Sequence, residues 1–247
     1  MLIIANWKAY VDSATRAKAL VANAKRLATR SRHTFVLAPS APHLGLFPKV
    51  GKRNLQFAAQ DVSEKSGGAA TGEVPASLLR ELGVGYVIIG HSERRALGET
   101  DAVIAVKAKQ AFAAGLVPIL CIGERDRDAD ARYLKELREE LAVVLEALAP
   151  KERAKLVIAY EPVWAIGKSA RDAITPADLK EMVLYIRKIL AQHLPARTAN
   201  KIRVIYGGSV EPGNIRELAK EGGVDGFLIG HASVDAKTFS ALVKELA

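Results

Sequence analysis

The chain has 247 residues, 49% hydrophobic and 26% charged, with a net charge of +9 from 36 basic and 27 acidic side chains. This length suits one large domain or two small ones and allows a sizeable core, and no apolar run nears the ~18 residues needed to span a bilayer. Basic residues are mixed with acids, as between Arg132 and Glu140, and aromatics do not interleave with them, so a solvated surface fits better than a nucleic-acid face.

In chain order, short β-rich runs alternate with longer helical patterns. Leu2–Ala5 is too short for a signal-peptide core, lacks a basic region before it, and reads as a first strand. Further strands are expected at Thr34–Ala38, Leu55–Ala58, Tyr86–Ile89, Val117–Cys121, Leu156–Tyr160, Ile202–Tyr206 and Gly226–Ile229. Between them, apolar residues recur at three- and four-residue spacing; over 133–148 these are Leu134, Leu137, Leu141, Val144, Leu145 and Leu148. Thr175-Pro176-Ala177-Asp178 has the order of a helix start: cap, first-turn proline, capping acid. Several strands are apolar on both faces, as in a parallel sheet covered on both sides. Eight strands, each followed by helix and with no Pro/Gly/Ser-rich linker, predict one (β/α)8 barrel over 1–247, with a doubly wound open sheet as the alternative. The lone cysteine, Cys121, rules out an internal disulfide and fits a reducing, cytoplasmic compartment.

In such a barrel the chemistry gathers at the C-terminal ends of the strands. Those ends carry Asn6-Trp7-Lys8, His91 with Glu93, Cys121-Ile122-Gly123-Glu124, Glu161-Pro162, Gly207-Gly208-Ser209 and Gly230-His231. Each alone has a plain structural reading. Lys8 is then a solvated turn residue, Asn6 a satisfier of turn amides, His91 a cap, Glu161 a loop acid, and the glycine pairs tight turns. Together they bring a cation, an amide, an imidazole and a carboxylate to one mouth. Glu161 follows an apolar strand beside Trp164 and Ile166, where loss of water makes a carboxylate a better base. Gly207-Gly208 and Gly230-His231-Ala232-Ser233 precede helices, so their N–H groups suit a phosphate. No metal-ligand spacing, dinucleotide fingerprint or Walker motif occurs, so neither a metal nor another cofactor is expected. A carboxylate base beside a neutral hydrogen-bond donor suits proton abstraction next to a carbonyl in a small phosphorylated molecule.

With these motifs in order (Asn6-Trp7-Lys8, Gly90-His91-Ser92-Glu93-Arg94-Arg95, Cys121-Ile122-Gly123-Glu124, Tyr160 to Gly167, Tyr206 to Val210), the sequence resembles the triosephosphate isomerase family over essentially its full length. The resemblance implies an isomerase of dihydroxyacetone phosphate and glyceraldehyde 3-phosphate. In it Glu161 shuttles a proton between C1 and C2, and His91 polarises the carbonyl. Asn6 and Lys8 support the oxyanion, and Glu93 buttresses the polar cluster. Gly167, Ser209, Gly230 and His231 give backbone contacts to the phosphate. Ser92 to Arg95 are expected to begin a short helix whose N-terminus disfavours a positive imidazole at His91. The resemblance also implies a two-fold homodimer, in which the glycine-rich stretch around Thr71 reaches into a partner subunit beside Lys8.

Two places depart from the family. Gly167 runs directly into Lys168-Ser169-Ala170 and then Arg171-Asp172-Ala173-Ile174, where the family places Thr-Gly before the second lid hinge. His231 stands where a second glycine is usual. The altered lid keeps open an isomerase of another short sugar phosphate, such as a tetrose phosphate. A phosphate-binding barrel without turnover and a basic nucleic-acid binder are further readings, though binding alone needs no base.

Overall fold

The computed structural model describes residues 1–47, 54–128, 130–165, 167 and 173–246. Eight strands form a closed parallel barrel: β1 (Leu2–Asn6), β2 (Thr34–Ala38), β3 (Leu55–Ala59), β4 (Tyr86–Ile89), β5 (Val117–Ile122), β6 (Val157–Tyr160), β7 (Arg203–Tyr206) and β8 (Gly226–Ile229). Each strand pairs with its sequence neighbours, and β1 closes on β8 with Leu2 opposite Gly226 and Ala5 opposite Ile229. That closure excludes the open doubly wound sheet.

The strands are apolar on both faces because each face packs against its own layer. Leu2, Ile4, Val36, Ile88, Ile119 and Leu228 belong to one buried cluster, and Ile3, Ala5, Phe35, Val87 and Phe227 to the larger one shared with the helices. The alternation has the period-two pattern of a strand, with one set filling the barrel and the other meeting the outer ring. Small side chains in the inner set, Ala38, Ala58, Cys121 and Ala159, let it close without overpacking.

The outer helices begin where sequence chemistry starts them. Ser13, Thr100, Thr175 and Asp235 each accept a backbone N–H of the first turn from helices Ala14–Arg30, Asp101–Ala113, Pro176–His193 and Ala236–Glu245. Helix Arg132–Ala147 turns Leu137, Leu141, Val144 and Leu145 inward, as the spacing of its leucines predicts. Among the described residues no helix is long and apolar enough to cross a membrane.

Candidate active site

β4 ends at Ile89, and Gly90 then turns the chain with φ +68°, a region open to glycine because it has no Cβ. The turn delivers His91 as the cap of a short helix, Ser92–Ala96. The Glu93 N–H donates to His91 Nδ1 at 3.2 Å. A ring nitrogen that accepts carries no proton, so the hydrogen-bond network assigns a neutral ring with its proton on Nε2. Arg95 anchors this turn. Its guanidinium donates to the Gly90 carbonyl at 2.9 Å and the Cys121 carbonyl at 3.5 Å, and it pairs with Asp101 at 2.5 Å.

Glu161 follows β6 directly and is 2% exposed. One carboxylate oxygen lies 3.5 Å from His91 Nε2, and the other accepts the Ser92 N–H at 3.3 Å. Its side chain has room only because residue 207 is glycine: a Cβ there would stand 2.8 Å from Glu161 Cγ. Beneath lies Cys121, a member of the inner barrel cluster. Burial, and then the charge of Glu161, push its thiol well above the usual range, so it stays a protonated packing group.

Lys8 sits at the end of β1 with φ +45°, a conformation that costs a non-glycine residue about 1–3 kcal/mol. Two hydrogen bonds hold it there, one of them from a side chain also tied to β2. The Lys8 N–H donates to Asn6 Oδ1 at 3.1 Å, while Gln60 Nε2 donates to the Lys8 and Ala38 carbonyls, both at 2.9 Å. Lys8 Nζ is 2.6 Å from Glu93 Oε1.

The chain beyond Glu161 is clamped from β5. Glu124, wholly buried, accepts on one oxygen from the Tyr160 hydroxyl at 2.8 Å, Trp164 Nε1 at 2.9 Å and Arg127 Nε at 3.1 Å. The Val163 N–H donates to the Glu124 carbonyl at 3.0 Å. Ser209 Oγ donates to the Ala165 carbonyl at 2.9 Å, joining the turn after β7 to the same segment. Ile166 and the altered lid stretch, residues 168–172, lie outside the described residues.

A pocket of about 320 Å³ opens at this end of the barrel. Asn6, Lys8, His91 and Glu161 line it together with Gly167, Ser209, Gly230 and His231. Glu93 does not line it; its side chain is 61% exposed and reaches Lys8, with its other oxygen 3.9 Å from His91 Nδ1. His231 begins a short 3-10 turn, His231–Ser233, and is not among the residues of positive φ, so a side chain fits where the family favours glycine. Sequence reasoning passed over three contributors. Gln60 directly follows β3, a position rule that would have flagged it, and Glu124, named at the end of β5, was given no role. Tyr10, a lining residue two positions after Lys8, carries no such signal.

A closed eight-stranded barrel with a buried carboxylate, an imidazole and a lysine converging at its C-terminal mouth defines an acid–base enzyme site of the barrel class. The family model described as Triosephosphate isomerase matches residues 1–246. Triosephosphate isomerase of Thermus thermophilus is 40% identical over 251 residues, covering 99% of this chain and 98% of that protein. The Moorella thermoacetica enzyme of that name is 40% identical over 247 residues (98% and 97%), and the Dictyostelium discoideum one 39% over 210 residues (84% and 81%). The chain belongs to the triosephosphate isomerase family.

Proposed function

We propose that the chain, folded as one domain over residues 1–247, interconverts dihydroxyacetone phosphate and D-glyceraldehyde 3-phosphate. The observation that carries this reading is the buried Glu161 carboxylate 3.5 Å from the Nε2 of a ring whose other nitrogen is already occupied. A base and a neutral donor so placed can address a carbon and its neighbouring carbonyl oxygen at once.

Glu161 leaves the Ser92 N–H and takes the proton from the carbon next to the carbonyl. The carbonyl π electrons move to oxygen, giving an enediolate. His91 donates its Nε2 proton to that oxygen and recovers one from the neighbouring hydroxyl. Glu161 then returns its proton to the adjacent carbon. The Asn6 amide and the Lys8 ammonium stabilise the developing oxyanion, and Lys8 also faces the phosphate. Glu93 holds Lys8 in register. Gly167, Ser209, Gly230 and His231 hold the phosphate through the turns that carry them. The steps are internal proton transfers that these side chains can supply.

A coupled assay on purified protein, offering triose and tetrose phosphates side by side, tests the reading. Turnover is expected with the triose pair. Preference for the tetrose would favour the second substrate reading, which the departure after Gly167 motivates. Absence of turnover with both would leave a phosphate-binding barrel.

The enzyme is further proposed to be cytoplasmic and a two-fold homodimer. The stretch 64–69 is exposed, with its base closed by the Ser63 N–H on the Val74 carbonyl at 3.0 Å. Beside it, Leu97 is 81% exposed. Both would be covered if the loop around Thr71 entered a partner, next to the Asp61–Lys107–Glu99–Arg94 ion cluster. Light scattering over a dilution series, run with activity, should show the two falling together; a fully active monomer would refute the coupling.

A further inference from the structure

We propose that the imidazole of His231 binds the substrate phosphate directly, adding side-chain charge and a hydrogen bond where a glycine turn would offer backbone alone. The proposal rests on the phosphorylated-triose reading above. His231 lines the pocket beside Lys8 and Gly230, is exposed at its rim, and makes no ring hydrogen bond among the described residues. Its ring is nonetheless placed. Tyr10 meets it edge to face, with centroids 5.2 Å apart and planes at 75°.

That pairing is fixed from behind. Arg16 donates from Nη1 to the Tyr10 carbonyl at 2.9 Å and from Nη2 to the Val234 carbonyl at 3.1 Å. One guanidinium thus staples the loop after β1 to the turn after β8. Lys8 and His231, carried by those two segments, stand on the same rim. The lining also includes Glu211, an acid that opposes rather than attracts a phosphate. A second donor beside Lys8 offsets it. Imidazole can donate while neutral and adds charge when protonated, so it meets a phosphate in either state.

The experiment compares wild type with His231→Ala and His231→Lys. For triose phosphate, His231→Ala should raise KM about three- to tenfold, as loss of an exposed charge-assisted contact does, with kcat within about twofold. Calorimetric binding of glycerol 3-phosphate, which has no carbonyl to react, should weaken by the same factor, and His231→Lys should recover most of both. Slow turnover of unphosphorylated D-glyceraldehyde should be unchanged in all three proteins. Unchanged KM and glycerol 3-phosphate affinity in His231→Ala would overturn the proposal, and so would an equal loss with unphosphorylated glyceraldehyde. Should wild type fail to isomerise triose phosphates, the functional reading falls, and the glycerol 3-phosphate comparison still decides the role of His231.

Discussion

The two halves of the pocket are built differently. On the side of β1, β4 and β6, named side chains act, and each is fixed by a partner: Asn6 and Gln60 on Lys8, the Glu93 N–H on His91, the Ser92 N–H on Glu161. On the side of β7 and β8, short turns carry Gly207, Gly208, Ser209, Gly230 and His231, and the pocket lining there holds three glycines and one acid, Glu211, with no carboxylate or imidazole placed as a base. Moving a proton needs a particular group at a particular atom, within about an ångström. Holding an anion needs only N–H groups and positive potential, which many sequences supply. The first half should therefore respond sharply in kcat to small changes of identity, and the second should lose only affinity, and modestly, on an exchange such as glycine for His231.

Mutations that break this contrast span a wide range. Glu161→Asp withdraws the carboxylate by roughly 1 Å and should lower kcat by ~100-fold or more in a normally folded protein; steady-state kinetics beside circular dichroism would show it. His91→Gln should lower kcat by about 10–100-fold while glycerol 3-phosphate binds nearly as before, since its bond strengthens as the oxyanion develops. A loss confined to KM would make His91 a binding group. Gly207→Ala crosses between the halves, because its methyl would press on Glu161 from the phosphate side. It should lower kcat by about tenfold with little change in KM, whereas a loss confined to KM would place Gly207 wholly in the phosphate half.

A further effect lies behind the proton-transfer half and concerns stability rather than turnover. Glu140 is buried, accepts the Gly123 N–H at 3.0 Å and sits 3.4 Å from Arg95. Burial raises its carboxyl to about 7, against the opposing pull of Arg95. The folded state thus holds this proton more tightly than the unfolded chain does. The stability it contributes is full below the ordinary carboxylate range and is lost as pH rises through about 7. Glu140→Gln, neutral at every pH, should flatten the decline between pH 5 and 8, by on the order of 2 kcal/mol at the upper end. Melting curves of both proteins across that range check it; parallel curves would show that Glu140 does not couple to folding.

The same contrast explains what was legible in the sequence. Strand positions were readable because β-branched runs such as Tyr86–Ile89 have one stable use in an α/β chain, and the expected ends fall within a residue of those observed. Asn6, Lys8, His91 and Glu161 were readable because polar groups just past apolar strands have to face the mouth. The tie between Gly207 and Glu161 was not readable, since it depends on an approach between two strands' ends that no local pattern encodes. Glu93 was expected to buttress the polar cluster; its side chain meets Lys8 from the short helix Ser92–Ala96 without lining the pocket, a placement that its sequence position alone does not give. Tyr10 and Arg16 act across the seam between β1 and β8, 218 residues apart at Val234, a distance over which spacing carries no signal.

The most direct test is isomerisation in D2O, followed by NMR of the substrate carbons, for wild type and Glu161→Asp. Wild type should interconvert the two triose phosphates and place deuterium on the carbon that receives the proton from Glu161. Glu161→Asp should slow conversion and exchange together while still binding glycerol 3-phosphate. Conversion in wild type that continues unslowed in Glu161→Asp, with the same labelling, would remove Glu161 from the base role and contradict the proposed mechanism.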